Sequence, residues 1–137
     1  MTGASKSDRT FLGAARSVSQ LSDFPRVKIG AVIVSGHRII GSGTNSNSKT
    51  YPLQAKLDSE FFGVQCQGKV HAETDALMPF LRRRVNLSGA VLYTYRELKD
   101  GSQAMARPCP RCMQLIKQAG IRDLVYTTGD GVAREKI

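Results

Sequence analysis

Between residues 89 and 128 the chain reads strand, helix, strand: GAVLYTYREL, then CPRCMQLIKQAG after a polar loop, then IRDLVYTT. Pro110 suits a first helical turn and Gly120 suits a helix stop. A helix set between two such runs has to lie against the sheet that they build. The same alternation extends upstream. VKIGAVIVSGHRIIGSGTN (27–45) predicts two strands turning at Ser35-Gly36-His37. SDRTFLGAARSVSQLSDF (7–24) predicts an amphipathic helix, with Phe11, Leu12, Ala15, Val18 and Leu21 or Ser22 near a helical period. Ser7 or Asp8 would cap it. VHAETDALMPFLRRR (70–84) predicts a second helix that Pro79 kinks or ends. Residues 46–69 read as a polar loop with one short helix near 54–62, and residues 100–107 as a second loop. VAREKI (132–137) reads as a closing strand after a GDG turn. The order is α-β-β-α-β-α-β-β, an α/β class with helices covering the sheet.

With 137 residues there is room for one domain and a real core, and nothing marks a linker or repeat. No stretch approaches the roughly 20 apolar residues of a membrane span. The first residues, MTGASKSDRTFLGAARS, carry no apolar signal core. Cysteines number three, Cys66, Cys109 and Cys112, which is no disulfide framework. A reducing, cytoplasmic setting with metal or redox chemistry follows. The formal charge of +9 fits either a solvated basic surface or a phosphate-bearing partner, single-stranded nucleic acid included.

Cys109 and Cys112 share one face at a helix start, where thiolate is favoured. Zinc takes four ligands, or three and an open position for water. Cys66 is one further candidate, in the polar loop, where an ordinary free thiol is the commoner reading. His37 lies in a hairpin turn and reads as solvated. His71 instead opens a helix with Glu73 two residues on, and a carboxylate there can move a proton for a metal-activated water. Asp75 reads as a first-turn acid favoured by the helix dipole, or as a residue that orients the metal ligands.

HAE at 71–73 followed by PCPRC at 108–112 is the H-x-E…P-C-x-x-C signature of zinc nucleobase deaminases. On these motifs, on the 27–45 hairpin and on AGIRDLVYTT, the chain resembles the cytidine/deoxycytidylate deaminase superfamily from about residue 8 to about residue 128. The resemblance implies one CMP/dCMP-type domain over 1–137, a three-layer α/β/α fold around a mixed five-stranded sheet. It implies Zn²⁺ on His71, Cys109 and Cys112, with Glu73 as the catalytic proton carrier. It implies that Asn45 of GTN (43–45) binds the nucleoside sugar and that the Ala72 backbone donates to the pyrimidine carbonyl. It also implies a homo-oligomer.

The expected reaction is deamination of a cytosine nucleoside or nucleotide, uracil and ammonia being the products. A nucleic-acid editor is the alternative that the charge favours, and an inactive zinc module the one that Glu73 disfavours. The first hairpin resembles deoxycytidylate deaminases, whereas the closing hairpin resembles the free-cytidine branch and some deaminase toxins. The long segment 96–107 leads into Cys109 and so borders the expected pocket, where Arg96, Lys99 and Arg107 are phosphate candidates. The run at 82–84 ends a helix, where cations are favoured anyway. Tyr51, with Phe61 or Phe62, is a loop aromatic suited to cover a base. Tyr93, Tyr95 and Tyr126 read as sheet-packing residues.

Overall fold

The computed structural model describes residues 5–24, 26–46 and 71–137. Helix α1 (Lys6–Ser19) precedes strands β1 (Val27–Ser35) and β2 (Arg38–Thr44). Helix α2 (Ala72–Arg82), β3 (Val91–Leu98), the two-residue β4 (Gln103–Ala104), α3 (Pro110–Ala119), β5 (Asp123–Thr127) and β6 (Val132–Lys136) follow. The strand order is β2-β1-β3-β5-β6, with β4 added against β3. Among the described strands β3 and β5 pair in parallel and the other pairs are antiparallel. The sheet is therefore mixed, five strands in one path plus β4.

Alternation along the strands builds two cores, one on each face. Ala31, Ile33, Leu92, Leu124 and Tyr126 join α2 and α3 residues such as Leu77, Leu115 and Ile116. Val32, Val34, Tyr93, Tyr95 and Val125 instead meet Leu12 and Ala15 of α1. Burial on both faces explains why β1 reads as a continuous run, AVIV, rather than an alternating one. These are the three layers. Among the described residues no helix is long and apolar enough to cross a membrane.

Some local expectations change. The cap of α1 is Ser5, not Ser7 or Asp8. Ser5 Oγ accepts from Asp8 N–H at 3.0 Å, and Asp8 Oδ2 accepts from Ser5 N–H at 3.3 Å, a reciprocal capping box. The helix ends at Ser19, short of residue 24. The chain leaves it so that Ser22, 8% exposed, donates its hydroxyl to Asn45, while Leu21 points to solvent. Helix α2 runs on past Pro79 to Arg82. The proline removes one ladder bond, and at the C-cap Arg83 N–H donates to Pro79 O at 3.3 Å. His37 sits exposed at the β1–β2 turn, with Gly36 (φ 57°) and His37 (φ 63°) both left-handed, as a two-residue turn requires. The short helix expected near 54–62 lies outside the described residues.

Candidate metal centre

Two helix starts converge on one point. His71 is the N-cap of α2 and Cys109 the N-cap of α3, each with extended backbone. Neither side chain caps its own helix. Both are turned to the site instead, and Cys112 joins them from the first turn of α3. The sheet holds this geometry. Gly43 of β2 lies so close to α2 that a Cβ there would meet the backbone at Ala72 and Ala76. Asp75 Oδ2 accepts the Thr44 N–H at 3.1 Å, so it ties α2 to the end of β2.

The approach to Cys109 is pinned as well. In the 96–107 segment, Thr94 Oγ1 donates to Ala106 O at 3.0 Å and Ala106 N–H to Thr127 O at 2.9 Å. Thr127 Oγ1 donates to Ala104 O at 2.8 Å, and Gln103 Nε2 to the carbonyls of Thr128 and Gly131 at 2.9 and 2.7 Å. Strand β4 is part of this clamp. The sequence hid it because two residues carry no periodicity.

His71 Nδ1 lies 3.7 Å from Cys109 Sγ and 3.6 Å from Cys112 Sγ. All three ligand atoms fall within 4.8 Å of one another. A tetrahedral zinc with its usual bond lengths needs N···S edges of roughly 3.6 Å. The donor set therefore fits a zinc ion and leaves one coordination position uncommitted. Among the described residues no further His or Cys completes a four-ligand set, and Cys66 lies outside them.

The electrostatics agree with a site built for a cation. Cys112 hands a hydrogen bond to Cys109, which draws the Cys109 thiol well below its usual range, with His71 adding to the effect. The same hydrogen bond, with burial, pushes Cys112 up. Burial alone would disfavour the His71 cation, but Cys109 and the charge of Glu73 outweigh it and raise His71. Glu73 is 5% exposed. Burial pushes its carboxyl up, partly offset by attraction to His71. A carboxyl raised toward neutrality can both take and return a proton.

A cavity of about 150 Å³ opens beside these groups, lined by Ile29, His71, Glu73, Arg96, Met105 and Arg107 among others. A larger cavity, about 490 Å³, lies at the C-terminal ends of α2 and α3 against Arg84, Asn86 and Arg122. Among the described residues its lining includes no acid, histidine or cysteine, whereas the smaller one is lined by His71, Glu73 and Cys109.

The remaining candidates separate. Ala72 is fully buried, and as the first residue of α2 its N–H falls outside the helical ladder. Arg107 lines the cavity, yet its guanidinium forks onto Glu135 at 2.9 and 2.8 Å, and Tyr126 donates to the same carboxylate at 3.0 Å. Asn45 is 5% exposed and turns to β1. Its Oδ1 accepts from Ile29 N–H at 2.9 Å and lies 2.6 Å from the Ser22 hydroxyl, and its Nδ2 donates to Val27 O at 2.9 Å. Lys99 is exposed and does not line the cavity. Tyr93 donates to Asp8, and Tyr95 lies under Arg16, 5.9 Å from guanidinium carbon to ring centre. Tyr51, Phe61 and Phe62 lie outside the described residues. Arg111 is the residue sequence reasoning missed: 2% exposed, it donates from Nη2 to Cys112 Sγ at 3.7 Å. A cation written between the two cysteines of the CxxC motif was the available signal.

Residues 5–128 match the cytidine and deoxycytidylate deaminase zinc-binding region. The chain belongs to the cytidine and deoxycytidylate deaminase family. Within that family it is similar to the deoxycytidylate deaminase of Mycobacterium phage D29, 34% identical over 131 residues, 87% of this chain and 92% of that one. A solved relative is the dCMP deaminase of cyanophage S-TIM5 in its apo form, at 25% identity and TM-score 0.62, covering 88% of this chain and 82% of that one. The same cyanophage enzyme has been solved in complex with dCMP and dUMP. The cytidine deaminase of Burkholderia pseudomallei, 18% identical, shares the fold at TM-score 0.63, covering 93% of this chain and 91% of that one. These deaminase relatives support an enzyme of cytosine-nucleotide metabolism.

Proposed function

We propose that this protein, as a single deaminase domain, hydrolyses the exocyclic amine of a cytosine deoxynucleotide, with deoxycytidylate as its substrate. The observation that carries this reading is the convergence of His71 Nδ1 and the Cys109 and Cys112 sulfurs beside a buried Glu73 in one small cavity. His71, Cys109 and Cys112 would hold Zn²⁺, which supplies Lewis acidity that lets a water lose its proton near neutral pH. Glu73 takes that proton while the water oxygen adds to C4 of the ring. It passes the proton to the ring nitrogen, and then carries the proton of the new C4 hydroxyl onto the amine as that oxygen becomes the uracil carbonyl. The C4–N bond breaks, ammonia leaves and the uracil nucleotide remains, so atoms and charge balance.

The Ala72 N–H, at the positive end of α2, suits the pyrimidine carbonyl. Arg107, with Arg96 beside it in the cavity wall, suits the phosphate. Asn45 would reach the sugar through its second amide hydrogen, and Tyr51 would cover the base. We place the protein in the cytoplasm as a homo-oligomer, in keeping with its free thiols and with the family resemblance.

The test is product analysis with zinc-loaded protein on cytidine, deoxycytidine, dCMP, dCTP, adenine and guanine compounds, and cytosine-bearing single strands, with Glu73→Ala alongside. Uracil product from dCMP, lost in the variant, supports the reading. Product from single strands alone would overturn it and give the +9 charge a nucleic-acid partner.

A further inference from the structure

Arg111 breaks two local rules at once. It is the second residue of α3, and helix N-termini repel cations. It is also 2% exposed, and burying a guanidinium is costly unless anionic partners surround it. One of the groups it meets is a sulfur: Nη2 donates to Cys112 Sγ at 3.7 Å. Thr74 Oγ1 approaches the same sulfur at 3.9 Å from α2. Cys112 is fully buried, so these contacts do the work that water does for an exposed thiolate.

We propose that Arg111 is a positioning residue for the metal: its guanidinium offsets the charge of Cys112 and fixes the direction in which that sulfur meets the ion. The inference rests on the zinc reading given above. Two thiolates and a neutral imidazole cancel a dication, so Arg111 leaves the centre with a surplus positive charge. Hydrogen bonding to a ligand sulfur also lowers its electron donation, which keeps the metal a stronger Lewis acid. Groups that orient metal ligands in this way typically affect metal affinity about 10- to 100-fold.

The experiment loads cobalt(II) and zinc into the full chain and into Arg111→Met, Arg111→Gln and Arg111→Lys. Zinc affinity is read by chelator competition, and the sulfur-to-cobalt charge-transfer band by near-ultraviolet absorption. We expect about 10- to 100-fold weaker zinc binding in the Met and Gln variants. Their band should move to lower energy, because an unbonded sulfur donates more readily. Lysine keeps the charge but not the planar fork, so Arg111→Lys should fall between. It carries the same test if Arg111→Met does not fold. Zinc affinity within about twofold of the parent with an unmoved band, whatever the melting temperature does, overturns the proposal and makes Arg111 a packing residue. If the parent chain itself takes up no zinc or cobalt, the metal-centre reading fails along with it.

Discussion

Replacing Asn45 with alanine separates two jobs that its position permits. The family resemblance makes it a sugar contact, whereas its observed bonds make it a clamp between the end of β2 and the start of β1. Truncation would strand the Ile29 N–H and the Val27 carbonyl, 2.9 Å partners of the amide, and would remove an acceptor of the Ser22 hydroxyl. Each backbone group left without a partner costs about 1–3 kcal/mol, least where water can reach it. Two partly buried groups give about 2–4 kcal/mol. For a domain of this size that is a fall in melting temperature of about 6–15 °C. Thermal unfolding of the zinc-loaded protein, followed by circular dichroism, measures it, and steady-state KM for dCMP is taken on the same samples. A variant that melts within about 2 °C of the parent while KM rises would refute the clamp argument and return Asn45 to the sugar.

Glu73→Gln keeps the shape of a buried side chain while removing the proposed proton carrier, so kcat should fall about 10²- to 10⁴-fold, with zinc content by atomic absorption unchanged. Stability should depend on acid through Asp8. Its burial favours the neutral carboxyl, but the Tyr93 hydroxyl, the Ser5 amide and Arg134 outweigh burial and hold it below the usual carboxylate range. A depressed native value means that this stabilisation is complete above the unfolded value of about 4 and drains away as pH falls through the native one. Urea midpoints between pH 6 and pH 2.5 should show that slope, and Asp8→Asn should flatten it. Arg84 stands in the left-handed region at φ 54°, just past α2, where Val85 N–H closes onto Phe80 O at 3.0 Å. Glycine is the usual occupant of such a position, so Arg84→Gly should raise unfolding stability by about 1 kcal/mol in a denaturant titration.

The convergence of His71, Cys109 and Cys112 was legible because a site for one ion would dictate their spacing and their places at helix starts. Pro110 and Gly120 marked the α3 boundaries for a similar reason, since each residue type has one conformational use there. Asn45 is different. GTN reads alike whether the amide turns to a ligand or to β1, because Ser22 and Ile29 decide it from far along the chain. The Arg107–Glu135 fork depends on how β5 and β6 bring residue 135 beside the 96–107 segment, which no local pattern states. The end of α1 was misread because Ser22 suits a helix face as well as it suits a hydroxyl donor to Asn45.

Asp8 accepts from Tyr93 at 2.8 Å and from Arg134 at 2.7 Å, partners 85 and 126 positions away along the chain. One carboxylate thus joins the opening helix to the middle of the sheet and to β6. A ribosome delivers these groups in order. The helix can form early, but its anchor is half made until β3 emerges and incomplete until Arg134 does. Through most of synthesis one face of the nascent sheet is covered by a helix not yet fastened, so exposure to chaperones and proteases should end abruptly, with the arrival of β6.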